Sequence, residues 1–193
     1  MAELLRSHIR KRVSMSEDDL STAVGFFEQR TIRKRQFLLR EGDVCRELAF
    51  VTGGCLREYT VDQKGDEHII QFATADWWIS DLNSFLTGQK TTHAIDALQD
   101  SEVLLLGRDR REELFLSVPA MERFFRLLLE ANHVAAQRRI NESLSASAEE
   151  RYLAFVRTYP HLMEEVPLHQ VASYLGITPQ SLSRIRKELS LNG

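Results

Sequence analysis

The sequence has 193 residues, of which 43% are hydrophobic and 27% charged, a composition typical of a soluble globular protein of one or two domains. Its apolar runs, such as 103–106 and 127–129, are far shorter than the ~18 residues that a membrane-spanning helix needs. Two cysteines, Cys45 and Cys55, are too few for a secreted disulfide framework, and the N-terminal region does not resemble a signal peptide. We therefore expect a cytoplasmic protein with no membrane partner.

The net charge of −3 is unevenly distributed along the chain. Residues 1–40 contain nine Lys or Arg against five Asp or Glu, and the residues from Thr178 onward contain three basic side chains against one acidic. An acidic protein can bind nucleic acid through a local basic face, so the overall charge excludes no partner.

The first half of the chain changes from helical to strand-like patterns. Ser16 and the acidic residues after it predict the start of a small packing helix within residues 1–30. From Thr31 to about Leu106, runs of three to seven apolar and β-branched residues alternate with turns such as Gly53-Gly54. Short strands separated by turns predict an antiparallel sandwich or barrel, and the lack of intervening long helices disfavours a parallel α/β sheet.

The second half of the chain is predicted to be helical. Pro119 suits a first helical turn, and no further proline or glycine occurs before Pro160. An apolar stripe with three- and four-residue spacing follows, composed of Met121, Phe124, Leu128, Ala131 and Ala135. The stripe can pack on the β domain or form a two-stranded dimer contact, and we predict the dimer helix over 119–145. The small residues of 145–148 are predicted to be a hinge or a cap.

Residues 168–185 carry a specific motif, two helices that cross over a tight turn. Ala172 supplies a small residue at the crossing, and Gly176 tolerates the positive φ that the turn needs. Thr178 and Pro179 suit the N-cap and first turn of the second helix. The inward-facing positions are apolar, namely Val171, Leu175, Ile177, Leu182 and Ile185. This pattern predicts a helix-turn-helix, and two helices of an ordinary bundle are the alternative.

The outward face of the second helix suits DNA. Gln180 and Arg184 can make bidentate hydrogen bonds to base edges, with Ser181 assisting. Thr178, Ser183 and Lys187 are predicted to contact phosphates, while His169 or Gln170 anchors the first helix. The predicted DNA-binding set is His169, Gln170, Thr178, Pro179, Gln180, Ser181, Ser183, Arg184 and Lys187.

The order of these elements resembles the CRP/FNR family of bacterial transcription regulators. The resemblance covers about Thr22 to Leu189 and includes the stretches 40–43, 76–82, 85–88 and 174–178. It implies an α+β protein with a β-roll sensor (a double-stranded β-helix) at 1–118, a dimerisation helix at 119–145 and a DNA-binding domain at 146–193. It also implies a homodimer on near-palindromic double-stranded DNA, with RNA polymerase as a further partner.

Cyclic-nucleotide binders of this superfamily hold the phosphate with a short cassette, a Gly-Glu pair and an Arg-Ser/Thr-Ala triplet. The matching positions here are Ser80-Asp81 and Thr91-Thr92-His93, so all three key residues differ. Thr91 cannot replace the guanidinium charge, which disfavours cAMP, and no cofactor is expected. An unknown small effector or an empty pocket remains, with a predicted lining of Ser80, Asp81, Leu82, Thr91, Thr92 and Gln137.

Other chemistries have weaker support in the sequence. Two cysteines cannot hold an iron–sulfur cluster. His68 and His93 could ligate a haem only in the sense that they are histidines, because no other feature of the sequence supports haem binding. The histidines form neither HxH nor HExxH, so a cupin-like metalloenzyme is disfavoured and no metal site is predicted. The family usually has a β-hairpin wing near the second helix, and four residues follow Leu189 here. Pro179 also replaces a DNA-contacting arginine of better-known members, so an interaction protein without DNA binding is the alternative function.

Overall fold

The computed structural model describes residues 2–160, 162 and 166–191. The helices are α1 (Ala2–Arg10), α2 (Glu17–Gly25), α3 (Leu82–Thr87), α4 (Arg108–Ser117), α5 (Ala120–Ser145), α6 (Ala148–Thr158), α7 (Leu168–Leu175) and α8 (Pro179–Leu191). The strands are β1 (Glu28–Ile32), β2 (Phe37–Leu39), β3 (Glu47–Gly53), β4 (Cys55–Val61), β5 (Glu67–Thr74), β6 (Trp78–Ile79), β7 (Ala94–Ala97) and β8 (Ser101–Gly107). No described helix is long and apolar enough to cross a membrane.

The strands form two four-stranded sheets, in the orders β1-β8-β3-β6 and β2-β7-β4-β5. The pairs β1–β8, β3–β8 and β4–β7 are antiparallel, with Ala49 opposite Leu105 and Glu58 opposite Ile95. Gly54 makes the turn between β3 and β4 with φ of 80°, and a Cβ there would lie 2.4 Å from the Ser101 hydroxyl oxygen. The predicted α+β fold with an antiparallel β-roll is confirmed.

The chain divides into two compact units. The first comprises Met1–Thr60 with Gln71–Glu130, and the second comprises Val61–Ile70 with Ala131–Gly193. The boundary between the two units falls inside α5, after Glu130. Residues 61–70, which connect β4 to β5 and include the start of β5, are grouped with the C-terminal helices. The sequence-based division into 1–118, 119–145 and 146–193 follows the helix boundaries instead.

The first unit has a continuous apolar core between the sheets and the helices α1, α2 and α5. His8 of α1 is 4% exposed and lies against the rings of Phe50, Trp78 and Phe124. The indole N–H of Trp78 donates to its Nε2 over 3.3 Å, and Nδ1 faces the carboxylate of Asp76 at 2.7 Å. Because Nε2 accepts from the indole, Nδ1 carries the hydrogen that faces Asp76, and burial lowers the pKa of His8.

The first half of α5 corrects the predicted dimer stripe. Met121 and Phe124 are fully buried and Leu128 is 6% exposed, because all three pack into the apolar core of the first unit. Ala131 and Ala135 are exposed. The first three residues of the stripe therefore belong to the β-roll core. This is packing on the β domain, the alternative to a dimer contact that the same spacing allowed.

A different row of apolar residues is exposed on α5. Leu129 is 39% exposed, Ile140 53% and Leu144 82%, and Ala136 lies between them on the helix. Their intervals of seven, four and four residues put them on one side of the helix. We call these four residues the α5 seam.

The second unit has a smaller core of its own. The rings of Phe155, Tyr159 and Tyr174 pack on one another with centroids 5.1 to 6.0 Å apart. The inward-facing residues of α7 and α8 complete the core, and these are Val171, Ala172, Leu175, Leu182 and Ile185.

Candidate functional site

The turn between α7 and α8 is closed by backbone hydrogen bonds. Gly176 has φ of 65° and ψ of 36°, the left-handed conformation that ends many helices. The Gly176 N–H donates to the Ser173 carbonyl and the Ile177 N–H to the Ala172 carbonyl, each over 3.0 Å. Ala172 is fully buried. The tight turn that the sequence predicts is therefore present at the predicted residues.

The second helix begins with a side-chain cap. The Ser181 backbone N–H donates to the Thr178 hydroxyl oxygen over 3.2 Å, and that hydroxyl donates to the Ser181 hydroxyl over 3.0 Å. Both hydroxyls are therefore engaged in starting α8, with Pro179 in the first turn. Thr178 and Ser181 orient the helix whether or not they also contact a ligand.

One side of α8 is polar and open. Gln180, Ser183, Arg184 and Lys187 are exposed and recur at three- and four-residue intervals, so they form a single row. Within the described part of the chain, no side-chain hydrogen bond or ion pair engages Gln180, Arg184 or Lys187. Arg186 is also exposed, but it lies outside this row. We call Gln180, Ser183, Arg184 and Lys187 the α8 face.

The two candidate residues on the first helix differ in environment. His169 is exposed, whereas Gln170 is 8% exposed and its buried side-chain carbonyl has no hydrogen-bond partner among the residues that the structure describes. Gln170 lies at the edge of the inward-facing side of α7, about 100° around the helix from Val171, and is buried there. Its side chain is directed away from solvent, so His169 alone is placed to anchor the first helix.

Two contacts in the second unit were not anticipated from the sequence. The Ser173 hydroxyl donates to the Glu67 carbonyl over 2.8 Å and accepts from the Ile69 N–H over 3.0 Å, so it joins α7 to the backbone of β5. Arg139 donates to the Ile70 carbonyl, and its guanidinium lies 5.4 Å from the ring centroid of Tyr174. The hydrogen-bond partners are more than sixty residues apart in sequence, so no local pattern reveals these contacts.

The cassette in the first unit is closed by its own hydrogen bonds. The Asp81 carboxylate caps α3 by accepting from the Ser84 N–H over 3.0 Å, and its second oxygen accepts from the Thr91 hydroxyl over 2.5 Å. Asp81 is 5% and Thr91 3% exposed. The two predicted pocket residues are therefore brought together, but they bind each other.

A partly buried histidine–carboxylate contact lies beside this hydrogen bond. His93 Nδ1 is 2.7 Å from a carboxylate oxygen of Glu58, which is 4% exposed, and the His93 N–H donates to the Thr91 hydroxyl over 2.9 Å. The hydrogen bond that the His93 ring donates to the Glu58 carboxylate raises the pKa of His93. Two carboxylates, Glu58 and Asp81, thus lie beside the Thr91–His93 segment. The charge at this site is unfavourable for an anion.

The remaining predicted pocket residues are dispersed. Leu82 and Thr92 are exposed, Ser80 is half-buried, and Gln137 is an exposed residue of the second unit.

Cys45 and Cys55 are buried thiols, and burial raises the pKa of Cys45 to about 11. Among the residues that the structure describes, no group of three or more His, Cys, Asp or Glu side chains could hold a metal ion.

Comparison with known proteins places these sites in context. Residues 29–117 match the cyclic nucleotide-binding domain family. The fumarate and nitrate reduction regulatory protein of Yersinia pestis is 25% identical over 186 residues, which cover 89% of this chain and 73% of that protein. The protein of the same name from Vibrio cholerae matches over the same shares, also at 25% identity.

Solved structures show the same fold. FixK2 from Bradyrhizobium japonicum matches with a TM-score of 0.70 and 19% identity over 86% of both chains. The c-di-GMP-responsive global regulator CLP from Xanthomonas campestris matches with a TM-score of 0.72 and 13% identity, over 92% of this chain and 93% of that one.

A β-roll, a long helix and a helix-turn-helix with an open polar face define a DNA-binding transcription regulator. The domain match over residues 29–117, together with the similarity to fumarate and nitrate reduction regulatory proteins along most of the sequence, supports a transcription regulator of the CRP/FNR type. The relatives that it matches along most of its length are named as regulatory proteins rather than enzymes. Nothing in these comparisons favours an interaction protein without DNA binding.

Proposed function

We propose that this regulator is a homodimer that reads a near-palindromic duplex site with the α8 face and does not respond to cAMP. The observation that carries the proposal is the row formed by Gln180, Arg184 and Lys187, which are exposed and not engaged by other side chains of the described chain. Long polar side chains held ready on a capped helix suit base edges and phosphates. The regulator then acts on DNA in the cytoplasm.

Each residue of the site has a separate role in this proposal. Arg184 and Gln180 read base edges, while Ser183 and Lys187 contact phosphates. His169 anchors the first helix, and the hydroxyls of Thr178 and Ser181 hold α8 at its N-terminus. Pro179 contributes its fixed φ to the first turn rather than a contact.

The α5 seam is the proposed dimer contact. Leu129, Ala136, Ile140 and Leu144 present a narrow apolar row, which is the geometry of a two-stranded helix pair. Ile140→Glu should dissociate the dimer, because two charged carboxylates would be forced into the apolar contact. Ala135→Glu is the matched control, since Ala135 is exposed on another side of α5. Sedimentation equilibrium measures both, and an intact I140E dimer would exclude this seam.

The cassette argues against a cyclic nucleotide as effector. A cyclic phosphate placed beside Asp81 and Glu58 would meet two carboxylates, and no arginine occupies the Thr91 position. We expect millimolar cAMP to leave the midpoint of thermal unfolding unchanged. A saturable rise of several degrees would overturn this part of the proposal.

A binding selection tests the DNA function. The full chain is incubated with a random duplex library at moderate salt, with no added ligand, and bound sequences are read. A near-palindrome with half-sites about ten base pairs apart supports an effector-independent dimer. Selection repeated with cell extract shows whether a small effector is needed. If no sequence is enriched with or without the extract, DNA binding is contradicted. Contact with RNA polymerase belongs to the same proposal and is tested by transcription from a promoter carrying the selected site.

A further inference from the structure

The end of the dimer helix and the turn of the helix-turn-helix share one side chain. Arg151, in the first turn of α6, donates from Nη1 to the Ala146 carbonyl over 2.8 Å and from Nε to the Leu175 carbonyl over 3.1 Å. Ala146 directly follows α5, and Leu175 is the last residue of α7. Both acceptors are carbonyls at helix C-termini, where the backbone lacks intrahelical donors and a cation is favourable.

Among the residues that the structure describes, the other hydrogen bonds at the connection between α5 and α6 are local. Ser147 caps α6, where its hydroxyl accepts from the Glu150 N–H over 3.2 Å and its N–H donates to the Glu150 carboxylate over 2.8 Å. This capping box fixes where α6 begins, but it contains no residue of α7 or α8. Arg151 adds the link to the DNA-reading helices. Its guanidinium is planar, so its hydrogen bonds to the Ala146 and Leu175 carbonyls fix the positions of these two groups relative to each other.

The operator geometry makes this link important. Each additional base pair between two half-sites rotates one of them by about 34° and moves it by about 3.4 Å. A dimer selects one spacing only if each pair of DNA-reading helices has a fixed orientation relative to its dimer helix. In a regulator whose long helix is followed by a separate helical domain, that orientation is set at the junction between them.

We infer that Arg151 is a positioning residue that sets the half-site spacing of the operator, an inference that rests on the proposed function above. It touches no DNA in this role and acts through Ala146 and Leu175. Removing the Arg151 guanidinium weakens the preference for one half-site spacing. The base preference within each half-site stays unchanged, because the α8 face is intact.

The test measures binding to a set of operators whose half-sites are identical and whose central spacer varies by one and two base pairs in each direction. We expect the wild type to prefer one spacing by about tenfold or more over its neighbours, and Arg151→Met to reduce that preference to about threefold or less. Arg151→Lys, which keeps the charge but loses the planar fork, should lie between them. Arg157→Met is the matched control, because Arg157 lies on the same helix and its Nε donates to the Leu153 carbonyl of α6 itself.

Three results overturn the inference: an Arg151→Met spacing profile as sharp as that of the wild type, an equal loosening by Arg157→Met, or an altered base preference within the half-sites. Failure of the proposed function is distinguishable, since the wild type itself would then select no site. If Arg151→Met does not fold, as judged by circular dichroism, the comparison is made with Arg151→Lys.

A second measurement needs no DNA. Spin labels are placed at Asn141→Cys on α5 and Arg186→Cys on α8, both exposed positions, and labelled chains are diluted with unlabelled chains to isolate pairs within one protomer. Cys45 and Cys55 are 4% and 0% exposed, so they label slowly. We expect a single narrow distance in the wild type that broadens in Arg151→Met and Arg151→Lys but not in Arg157→Met. An unchanged distribution in both Arg151 variants contradicts the inference.

Discussion

The α8 face and the cassette are both polar, yet their side chains are arranged in opposite ways. On α8, Arg184 and Lys187 extend into solvent without protein partners in the described chain. In the cassette, Asp81 and Glu58 are about 5% exposed and each is bonded to a neighbouring residue of the roll. The first arrangement keeps its hydrogen-bonding groups for another molecule, whereas the second already uses them inside the fold.

This difference separates recognition from stability in one small protein. A partner gains most from groups that it does not have to release from other bonds, because a new hydrogen bond then replaces only water. Changes on the α8 face should therefore alter DNA binding with little effect on folding. Changes in the cassette should alter folding with little effect on DNA binding by the folded protein.

The largest expected effect is that of Asp81→Ala in the cassette. The substitution removes the cap of α3 and leaves the Ser84 N–H and the Thr91 hydroxyl, both buried, without their acceptor. We expect a loss of about 2–4 kcal/mol in the free energy of unfolding. Urea unfolding measures it, and the affinity of the folded variant for DNA should not change.

Two further variants identify the cause. Asp81→Asn retains an oxygen for the Ser84 N–H and should lose only about 1 kcal/mol or less. Asp43→Ala removes an exposed carboxylate on a nearby turn and should stay within about 0.5 kcal/mol of the wild type. Equal stabilities for D81A and D43A would mean that the cassette is not held by Asp81.

The next largest effect is expected for Arg184→Ala on the α8 face. Loss of a bidentate contact to a base should cost about 1–3 kcal/mol at one base pair and relax the preference there. The unfolding free energy should not change, because Arg184 is exposed and no side chain of the described chain pairs with it. Binding to single-base operator variants measures this, with Arg186→Ala as control. A uniform weakening on all sequences would assign Arg184 to phosphate contact instead.

Much of the α8 site could be predicted from the sequence because its determinants are local. Gly176, Thr178 and Ala172 are needed at fixed offsets within one motif, so their spacing alone identifies the turn. Gln170 was misplaced, since it lies at the boundary between the two faces of α7 and local spacing does not say which side is buried. The sequence also predicted the cassette positions, but only through a family resemblance.

The dimer stripe shows why spacing was insufficient for α5. Two apolar rows with the same period run along this helix, one through Phe124 and Leu128 and the other through Leu129 and Ile140. Periodicity detects both, but the choice between them depends on which row the β-roll covers. That choice, like the pairing of Glu58 in β4 with His93 just before β7, is decided by tertiary packing.

A smaller effect, with a defined sign, is expected from His93. Its pKa is raised in the folded protein by Glu58, so its contribution to stability is complete below the unfolded-state pKa of about 6.5 and is lost as pH rises through the folded value. His93→Gln should therefore destabilise the protein by about 1 kcal/mol or less near pH 6, and less at pH 8. Urea unfolding of the two proteins at both pH values measures the difference. A difference that grew with pH would contradict the ion pair.

His8 provides an internal contrast for that measurement. Burial lowers the pKa of His8 in the folded protein. The contribution of His8 to the free energy of unfolding therefore has the opposite pH dependence, and it falls as pH drops below about 6.5. The pH profile of the wild type contains both contributions. Only the difference between wild type and His93→Gln isolates the pair in the cassette.

The smallest effect is expected for Lys187→Ala, at the end of the α8 face. A single phosphate contact should contribute less than about 1 kcal/mol near 0.2 M salt, and its loss should be equal on all sequences. The slope of log affinity against log salt should flatten by about one unit. Lys64→Ala, an exposed lysine outside α8, should leave the slope unchanged. If K187A instead weakened one base position selectively, Lys187 would be a base-reading residue and the division of roles along α8 would shift by one helical turn.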